Sequence, residues 1–359
     1  MWYNSNNCFC PHAAAEPRAF RLTLKFPCTA ENGVFMGFPV ISPVIVKELA
    51  EQLKPLAPDE FCDVVVSPYA VEYAPMLSNA DVVRKLMDTK EPLAYSMVTL
   101  DDEQSQQFVA QSKAITDAYP IAQYYWQIRT LFMGVLQNRN VNLEKRFLLL
   151  NYAVKTVQGM IDKGQPNLIP QFIEDFINPN NTYEPVLKYF KDVRPVPAYS
   201  LADGISLLKS LAKPNAEYKD VLNTVYKNLG VSGPETLKMV EIKNYIGRRK
   251  LFSDLAAGDK SHYIENVAIS YVWNFTLPFS DPDFNFWDHF VFFGALYNAV
   301  KVMITCYTPE ADDEKFVKAI TAFDSAVRAT GSKIMRTVIN TAKNAGQNNN
   351  GDLAILTLS

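Results

Sequence analysis

The chain has 359 residues, of which 48% are hydrophobic and 20% are charged, and its formal net charge is -3. This composition is typical of a folded globular protein and excludes an intrinsically disordered chain. The mildly acidic balance offers no basic surface for nucleic acid, because binding to phosphates depends on clustered Lys and Arg. We therefore expect no nucleic-acid partner.

The cysteines are few and scattered, which favours a reducing cytoplasm over a secreted disulfide scaffold. They are Cys8, Cys10, Cys28, Cys62 and Cys306. The N-terminus lacks a charged region followed by an apolar run, so no signal peptide is predicted. The longest uninterrupted apolar run of the central segment, Phe290 to Tyr297, is far short of the ~20 residues that cross a bilayer. We expect a soluble, cytoplasmic protein without a membrane partner.

Residues 1–78 are predicted to form an irregular N-terminal region. Phe20, Leu22, Leu24 and Phe26 alternate with polar residues and predict a short half-buried strand. Val44 to Leu53 predicts a short helix between prolines, and Cys62 to Val66 is a short β-branched run. We interpret 1–78 as a candidate degenerate cysteine-cluster module and 79–359 as a separate helical domain.

Helical patterns follow one another from residue 79 onwards. The predicted helices are one from Ser78 or Asn79 to about Met87, one from Asp101 or Asp102 to Tyr119, Ile121 to Gln137, one after Asn142 ending near Gly164, Gln171 to Ile177, Ala202 to Leu211, Tyr218 to Leu229, Pro234 to Tyr245, Asp312 to Thr330, and Lys333 to Ala345. Gly230 suits a left-handed C-terminal cap and Pro234 a first helical turn.

The segment from Ser261 to Tyr307 predicts the centre of the fold. Two helices, Tyr263 to Phe275 and Trp287 to Cys306, are joined by a loop rich in Asp, Pro and Asn. The second is apolar on almost every face, and only Asn298 and Lys301 interrupt it past His289. Such a helix is normally enclosed by others. The predicted fold class is therefore mainly α, a large helical domain with a small irregular N-terminal portion.

Standard catalytic motifs are absent. The sequence has no G-x-S-x-G, no H-E-x-x-H, no P-loop and no G-x-G-x-x-G after a strand. Common nucleotide sites and hydrolase nucleophile elbows are therefore not expected.

Two of the three histidines fall in the central segment. His262 and His289 could share a polar pocket with Glu265, Asn266 and Asp288. The alternative is structural, with Asp288 and His289 in the first turn of a helix, where Asp suits the dipole, and His262 exposed in a loop.

A metal site is not predicted. Cys8, Cys10 and His12 resemble a fragment of one, but the second pair of ligands that a tetrahedral site needs is missing nearby. A disordered terminus is the alternative interpretation.

Several segments together resemble the flagellin lysine-N-methylase family over about residues 120–359. They are Ile128 to Val154, Leu168 to Phe176, His262 to Asp281, Trp287 to Ile304, Phe316 to Ile334 and Asp352 to Leu358. The resemblance implies a cytoplasmic protein-lysine N-methyltransferase that uses S-adenosylmethionine and acts on flagellin or another lysine-bearing protein.

The family's N-terminal cysteine cluster, of the form C-x4-C-x3-C-C, is not matched. Cys28 is the only cysteine between Leu24 and Ser42. A thiolate-ligated centre needs about four soft ligands close together. We therefore expect no metal or iron–sulfur cluster in this chain.

The resemblance implies a pocket that holds a deprotonated lysine in aromatic, partly dry surroundings, since desolvation lowers the pKa of an amine. The polar residues of the most apolar segment are the candidates for this pocket. They are Tyr263, Glu265, Asn266, Asp288, His289 and Tyr297. The alternative function is a non-catalytic helical protein that binds a partner and has lost both the cluster and the activity.

Overall fold

The computed structural model describes residues 20–26, 33–39, 62–66, 70–99, 120–178, 180–193, 196–211, 215–231, 239–281, 283–307, 312–331 and 333–344. The strands are β1 (Phe20–Phe26), β2 (Gly33–Pro39), β3 (Cys62–Val66), β4 (Ala70–Pro75) and β5 (Ala94–Thr99). The helices are α1 (Ala80–Asp88), α2 (Tyr125–Leu136), α3 (Leu143–Asp162), α4 (Ile169–Phe176), α5 (Glu184–Tyr189), α6 (Pro197–Ser210), α7 (Ala216–Leu229), α8 (Met239–Ala257), α9 (Ser261–Asn274), α10 (Phe286–Tyr307), α11 (Asp313–Thr330) and α12 (Lys333–Asn344). Short 3-10 turns, Pro120–Tyr124 and Pro166–Leu168, precede α2 and α4. The predicted mainly α class is confirmed.

The N-terminal portion carries a five-stranded antiparallel sheet of order β3-β4-β2-β1-β5. The predicted strand at Phe20–Phe26 is confirmed, and it pairs on both sides, with Leu22 opposite Gly37 of β2 and Met97 of β5. The region is thus more regular than its sequence suggested. Because β5 lies beyond residue 78, the sheet includes a strand from the predicted helical domain. The side-chain amide of Asn274 also donates to the carbonyl of Pro75 at 3.0 Å, which joins α9 to the sheet.

Polar caps set where several helices begin. Asn79, Asn142 and Asn215 accept hydrogen bonds from backbone N–H groups two or three residues on, and Asp312 does the same for α11. Such caps satisfy donors that have no partner within the helix. Gly230 ends α7 with φ of 79°, in the left-handed region that the sequence predicted for it.

The central helix α10 is buried along its whole length. It packs against α3, α6, α7, α8, α11 and α12. By length and composition it could cross a membrane, but the apolar window that meets this criterion is entirely buried inside the protein. The prediction that this helix forms the centre of the fold is confirmed.

The helix predicted to stop at Tyr245 continues to Ala257. Tyr245 and Phe252 are both buried, and their spacing of seven residues keeps them on one face of α8. Burial therefore extends the helix past the charged run at 248–250. Helix α5 was not predicted, and it follows Tyr183 with φ of 56°. The helices predicted at 44–53 and 101–119, Pro234 and the tail at 353–358 lie outside the described residues.

Helix α6 approaches α10 closely at Gly204. A Cβ atom at this position would lie 2.7 Å from Cγ2 of Val302 and 3.0 Å from its Cβ. A side chain of any size would push the helices apart, so glycine permits the close approach.

Candidate functional site

Glu265 is a buried structural anion. Arg139 binds both of its oxygens at 2.8–3.1 Å, and Nη1 of Arg146 binds Oε2 at 2.6 Å. Arg146 also donates to the carbonyls of Val141 and Leu136. The carboxylate thus fixes α9 against the start of α3 and has cations on both oxygens.

Asn266 and His262 tie α9 to the C-terminal end of α1. The amide of Asn266 donates to the carbonyls of Leu86 and Thr89 at 2.8 and 3.0 Å, and Nε2 of His262 lies 2.7 Å from the carbonyl of Met87. The interpretation of His262 as an exposed loop residue is wrong. The side chain is 6% exposed, because it covers helix carbonyls that would otherwise lack partners.

Asp288 and His289 occupy the first turn of α10, as the structural alternative predicted. Oδ2 of Asp288 accepts from Nζ of Lys343 at 2.8 Å, and Nδ1 of His289 lies 2.8 Å from the carbonyl of Asn285. The backbone N–H of Asp281 points at Nε2 of His289 at 3.3 Å. Burial lowers the pKa of His289 to about 4, against smaller opposite effects of the Asn285 carbonyl, Asp288 and Asp281.

Tyr263 lies near the other end of the central pair. Its hydroxyl is 3.4 Å from Oδ2 of Asp313, which also forms an ion pair with Lys260 at 2.6 Å. Its ring also contacts that of its chain neighbour His262, with the two rings nearly perpendicular. The structure does not bring the six candidates together in one pocket.

Tyr297 is the candidate that lines an apolar cavity between α9 and α10. Its ring stacks on Phe147 with the centroids 3.9 Å apart, and its hydroxyl is buried without a hydrogen-bond partner among the described residues. Tyr271 lines the same cavity and shares this property. The cavity volume is about 10 Å³, roughly the space of one water molecule, so a lysine side chain does not fit.

Lys301 lies in another cluster of polar side chains and is itself 1% exposed. Burial lowers its pKa to about 7, while the charge of Glu144 raises it and that of Arg249 lowers it. Burial raises the pKa of the Glu144 carboxyl, and both cations act against that rise. The three residues come from α10, α3 and α8, so the polar face of α10 carries a buried amine that interacts with ionisable groups of two neighbouring helices.

Asn298 continues this polar face towards the surface. Its amide donates to the carbonyl of Ser200 at 2.9 Å and to Oδ2 of Asp203 at 3.3 Å. The hydroxyl of Ser200 donates to Oδ1 of Asn298 at 2.5 Å and lies 3.3 Å from the hydroxyl of Tyr245. The close approach at Gly204 makes this contact between α6 and α10 geometrically feasible.

An open cleft begins at Asp203, between α6, α10 and α12, with a volume of about 60 Å³. We call it the Asp203 cleft. Its buried floor is formed mainly by small aliphatic side chains, and its rim carries exposed hydroxyls. The floor includes Val291, Ala295, Val338 and Ala342. The rim consists of Ser206, Ser210, Thr337 and Thr341.

The carboxyl of Asp203 is half-buried in this cleft. Burial raises its pKa, and the hydrogen bond from Asn298 opposes the rise. Within the described residues, this carboxyl accepts a hydrogen bond from Asn298 and forms no ion pair with a basic side chain. The cleft thus combines an anion with an apolar floor, which suits a cation on an aliphatic chain.

The residues around this cleft were not among the sequence candidates. The sequence does single out Asn298 and Lys301, because they are the polar residues that interrupt the central helix. It does not single out Asp203, since one acidic residue on an amphipathic helix is normally exposed to solvent.

Metal ligands do not cluster in the described part of the chain. No group of three or more His, Cys, Asp or Glu residues there could hold a metal ion. Cys8, Cys10 and Cys28 lie outside the described residues. Cys306 is a free, buried thiol whose pKa burial raises to about 12.

The model of the FliB lysine N-methylase C-terminal domain matches residues 129–356. This range contains helices α3 to α12 and with them the Asp203 cleft. No curated protein and no solved structure matches the chain.

Proposed function

Since the chain belongs to the FliB lysine N-methylase family, we propose that it methylates lysine side chains of flagellin or of another lysine-bearing protein. The family match over residues 129–356 is the observation that carries this proposal. An aliphatic cleft with a carboxylate at its end supports it, because a lysine substrate has the complementary shape and charge. We also propose a cytoplasmic location, which the scattered cysteines and the free thiol of Cys306 favour.

S-adenosylmethionine is the methyl donor that we propose, on the strength of the family. Pockets for ligands of this size have volumes of roughly 300–1,000 Å³. The Asp203 cleft and the cavity beside Tyr297 have volumes of about 60 and 10 Å³. The donor fits neither of them, so we assign none of their residues to it.

The acceptor lysine must lose a proton before its nitrogen can act as a nucleophile. A partly dry site favours the neutral amine, because burial disfavours the charged form. A carboxylate whose own pKa is raised is a better proton acceptor than an exposed one. Asp203 has this property.

Mass spectrometry tests the proposal directly. The full chain is incubated with flagellin and S-adenosylmethionine, and the intact mass of flagellin is measured over time. We expect successive increments of one methyl group, which peptide mapping assigns to lysines. Flagellin whose lysines have been acetylated beforehand serves as the control and should gain no mass.

The non-catalytic alternative predicts a different outcome. In that case flagellin keeps its mass, and calorimetric titration with S-adenosylmethionine at millimolar concentration gives no heat of binding. Together these two results would overturn the methylase proposal and leave a helical protein that binds a partner.

A further inference from the structure

We propose that the Asp203 cleft binds the side chain of the acceptor lysine, with the carboxylate of Asp203 receiving the ammonium group. This inference deepens the proposed function, on which it rests for the identity of the chain that carries the lysine. The occupant is a single lysine side chain presented by a partner protein. Four properties of the cleft support it.

The first property is size. The cleft volume is about 60 Å³, and one water-sized group needs roughly 10–15 Å³ of such space. The cleft therefore holds about four to six such groups, and a lysine side chain consists of four methylenes and one ammonium. An arginine or an aromatic side chain is larger and needs a wider cleft.

The second property is the floor. Val291, Ala295, Val338 and Ala342 are at most 9% exposed and present aliphatic carbon. Methylene groups gain free energy when they leave water, at roughly 25 cal/mol for each Å² of apolar surface removed. A floor of this kind stabilises the aliphatic part of a bound lysine, and it does not stabilise a short polar side chain.

The third property is the unneutralised carboxylate. The buried carboxylates Glu265 and Asp288 of the central helix pair have basic partners: Glu265 has Arg139 and Arg146, and Asp288 has Lys343. Among the described residues, the carboxylate of Asp203 is bound by the neutral amide of Asn298 instead. A ligand ammonium supplies the missing cation, and a charge-assisted hydrogen bond forms.

The fourth property is rigidity. Asn298 forms hydrogen bonds with both Asp203 and Ser200, and Gly204 allows the short distance between α6 and α10. The carboxylate is therefore held in one place before the ligand arrives, which reduces the entropy cost of binding.

Titration followed by NMR or calorimetry tests this inference without any methyl transfer. The probe is Nα-acetyl-lysine methylamide, and its control is the norleucine analogue, which has no ammonium. The 359-residue chain should bind the lysine probe at millimolar concentration and at least tenfold more tightly than the norleucine probe.

Two variants locate the binding. Asp203→Asn should abolish the preference for lysine over norleucine. Thr341→Leu is at an exposed position on the rim and fills the cleft without touching the core. It should weaken the binding of both probes, and it tests the site even if the first variant does not fold. Asp175→Asn, an exposed position outside the cleft lining, is the matched control and should bind like the wild type.

Equal affinity of the wild type for both probes, or unchanged lysine binding in both cleft variants, would overturn the inference. Its failure can be distinguished from failure of the proposed function. Flagellin methylation without lysine-specific binding in the cleft rejects the inference alone. Lysine-specific binding without any methylation rejects the methylase proposal alone.

Discussion

At the scale of single residues, Glu265 is a buried carboxylate that joins α9 to the region at the start of α3 through two arginines. It is 1% exposed and accepts hydrogen bonds from two arginines. The side chain of Arg146 is itself only 4% exposed, and burial lowers its pKa against the opposing effect of Glu265. The carboxylate therefore compensates a buried cation that would otherwise be strongly unfavourable.

Replacing Glu265 by Gln should destabilise the fold by about 3 kcal/mol, because removing one partner of a buried ion pair leaves an uncompensated charge. The free energy of unfolding in urea measures the effect. Asp313→Asn is the matched control, since its ion pair with Lys260 is exposed and such pairs contribute about 0–1 kcal/mol. Equal losses in the two variants would contradict this role for Glu265.

His289 makes the fold sensitive to acid. Its folded-state pKa of about 4 lies below the ordinary value of 6.5, chiefly because of burial. Between these two values the unfolded chain binds more protons than the folded one, so stability falls as the pH drops from 6.5 towards 4. The shift corresponds to at most about 3 kcal/mol.

The variant His289→Gln should lose less stability than the wild type between pH 7 and pH 4.5. Urea unfolding at both pH values gives the comparison, and the difference between the two proteins isolates His289 from the other groups that titrate. An identical loss in both proteins would show that His289 is not buried in its neutral form.

A local residue pattern was enough to predict the cap at Gly230, but it did not predict the long-range contacts. Gly230 acts within one helical turn, where the sequence reveals its role. Glu265 and Arg146 are 119 positions apart, and no local pattern pairs them. The candidates Glu265, Asn266 and Asp288 were polar residues in an apolar segment, and in the structure this property reflects anchoring between helices.

At the scale of secondary structure, the contact between α6 and α10 organises the candidate site. Gly204 allows the two helices to approach, and Asn298 reaches Ser200 and Asp203 across the gap. Gly204 in α6 thus determines the position of the Asp203 carboxylate in the cleft.

The variant Gly204→Ala should destabilise the protein by about 1–2 kcal/mol, because the new methyl group overlaps Val302 by more than the better helix propensity of alanine recovers. Gly247→Ala is the control. This glycine lies in α8, and a methyl group added to it would meet no atom within 4 Å, so alanine should stabilise by about 0.5–1 kcal/mol. Thermal or urea unfolding should therefore give opposite signs.

A second substitution tests the cause of the loss. Val302→Ala removes Cγ2, the atom that the new methyl group meets at 2.7 Å, so the double variant should be more stable than the sum of the two single changes implies. Strict additivity would contradict the steric explanation.

The periodicity of the sequence located most helices within a few residues, and the apolar character of α10 revealed its burial. The sheet was harder to predict. Phe20–Phe26 shows clear alternation, but its partners Gly33–Pro39 and Ala94–Thr99 lie at very different distances along the chain. Strand pairing depends on such distant contacts, which a single strand's pattern does not encode.

At the scale of the whole molecule, one apolar helix, α10, is surrounded by α3, α6, α7, α8, α9, α11 and α12, and its few polar positions join it to its neighbours. Lys301 lies with Glu144 and Arg249 inside, and Asn298 leads to Asp203 at the surface cleft. The family match covers this whole arrangement. The cleft that we propose as the lysine site therefore lies within the range that the family model matches.

The most direct measurement is the transfer of a deuterated methyl group from S-adenosylmethionine to flagellin, followed by mass spectrometry, for the wild type and for Asp203→Asn. We expect labelled lysines with the wild type and a value of kcat/KM at least tenfold lower with the variant, while Asp175→Asn keeps the wild-type value. Labelled lysines formed equally fast by wild type and Asp203→Asn would contradict the assignment of Asp203 to the lysine site.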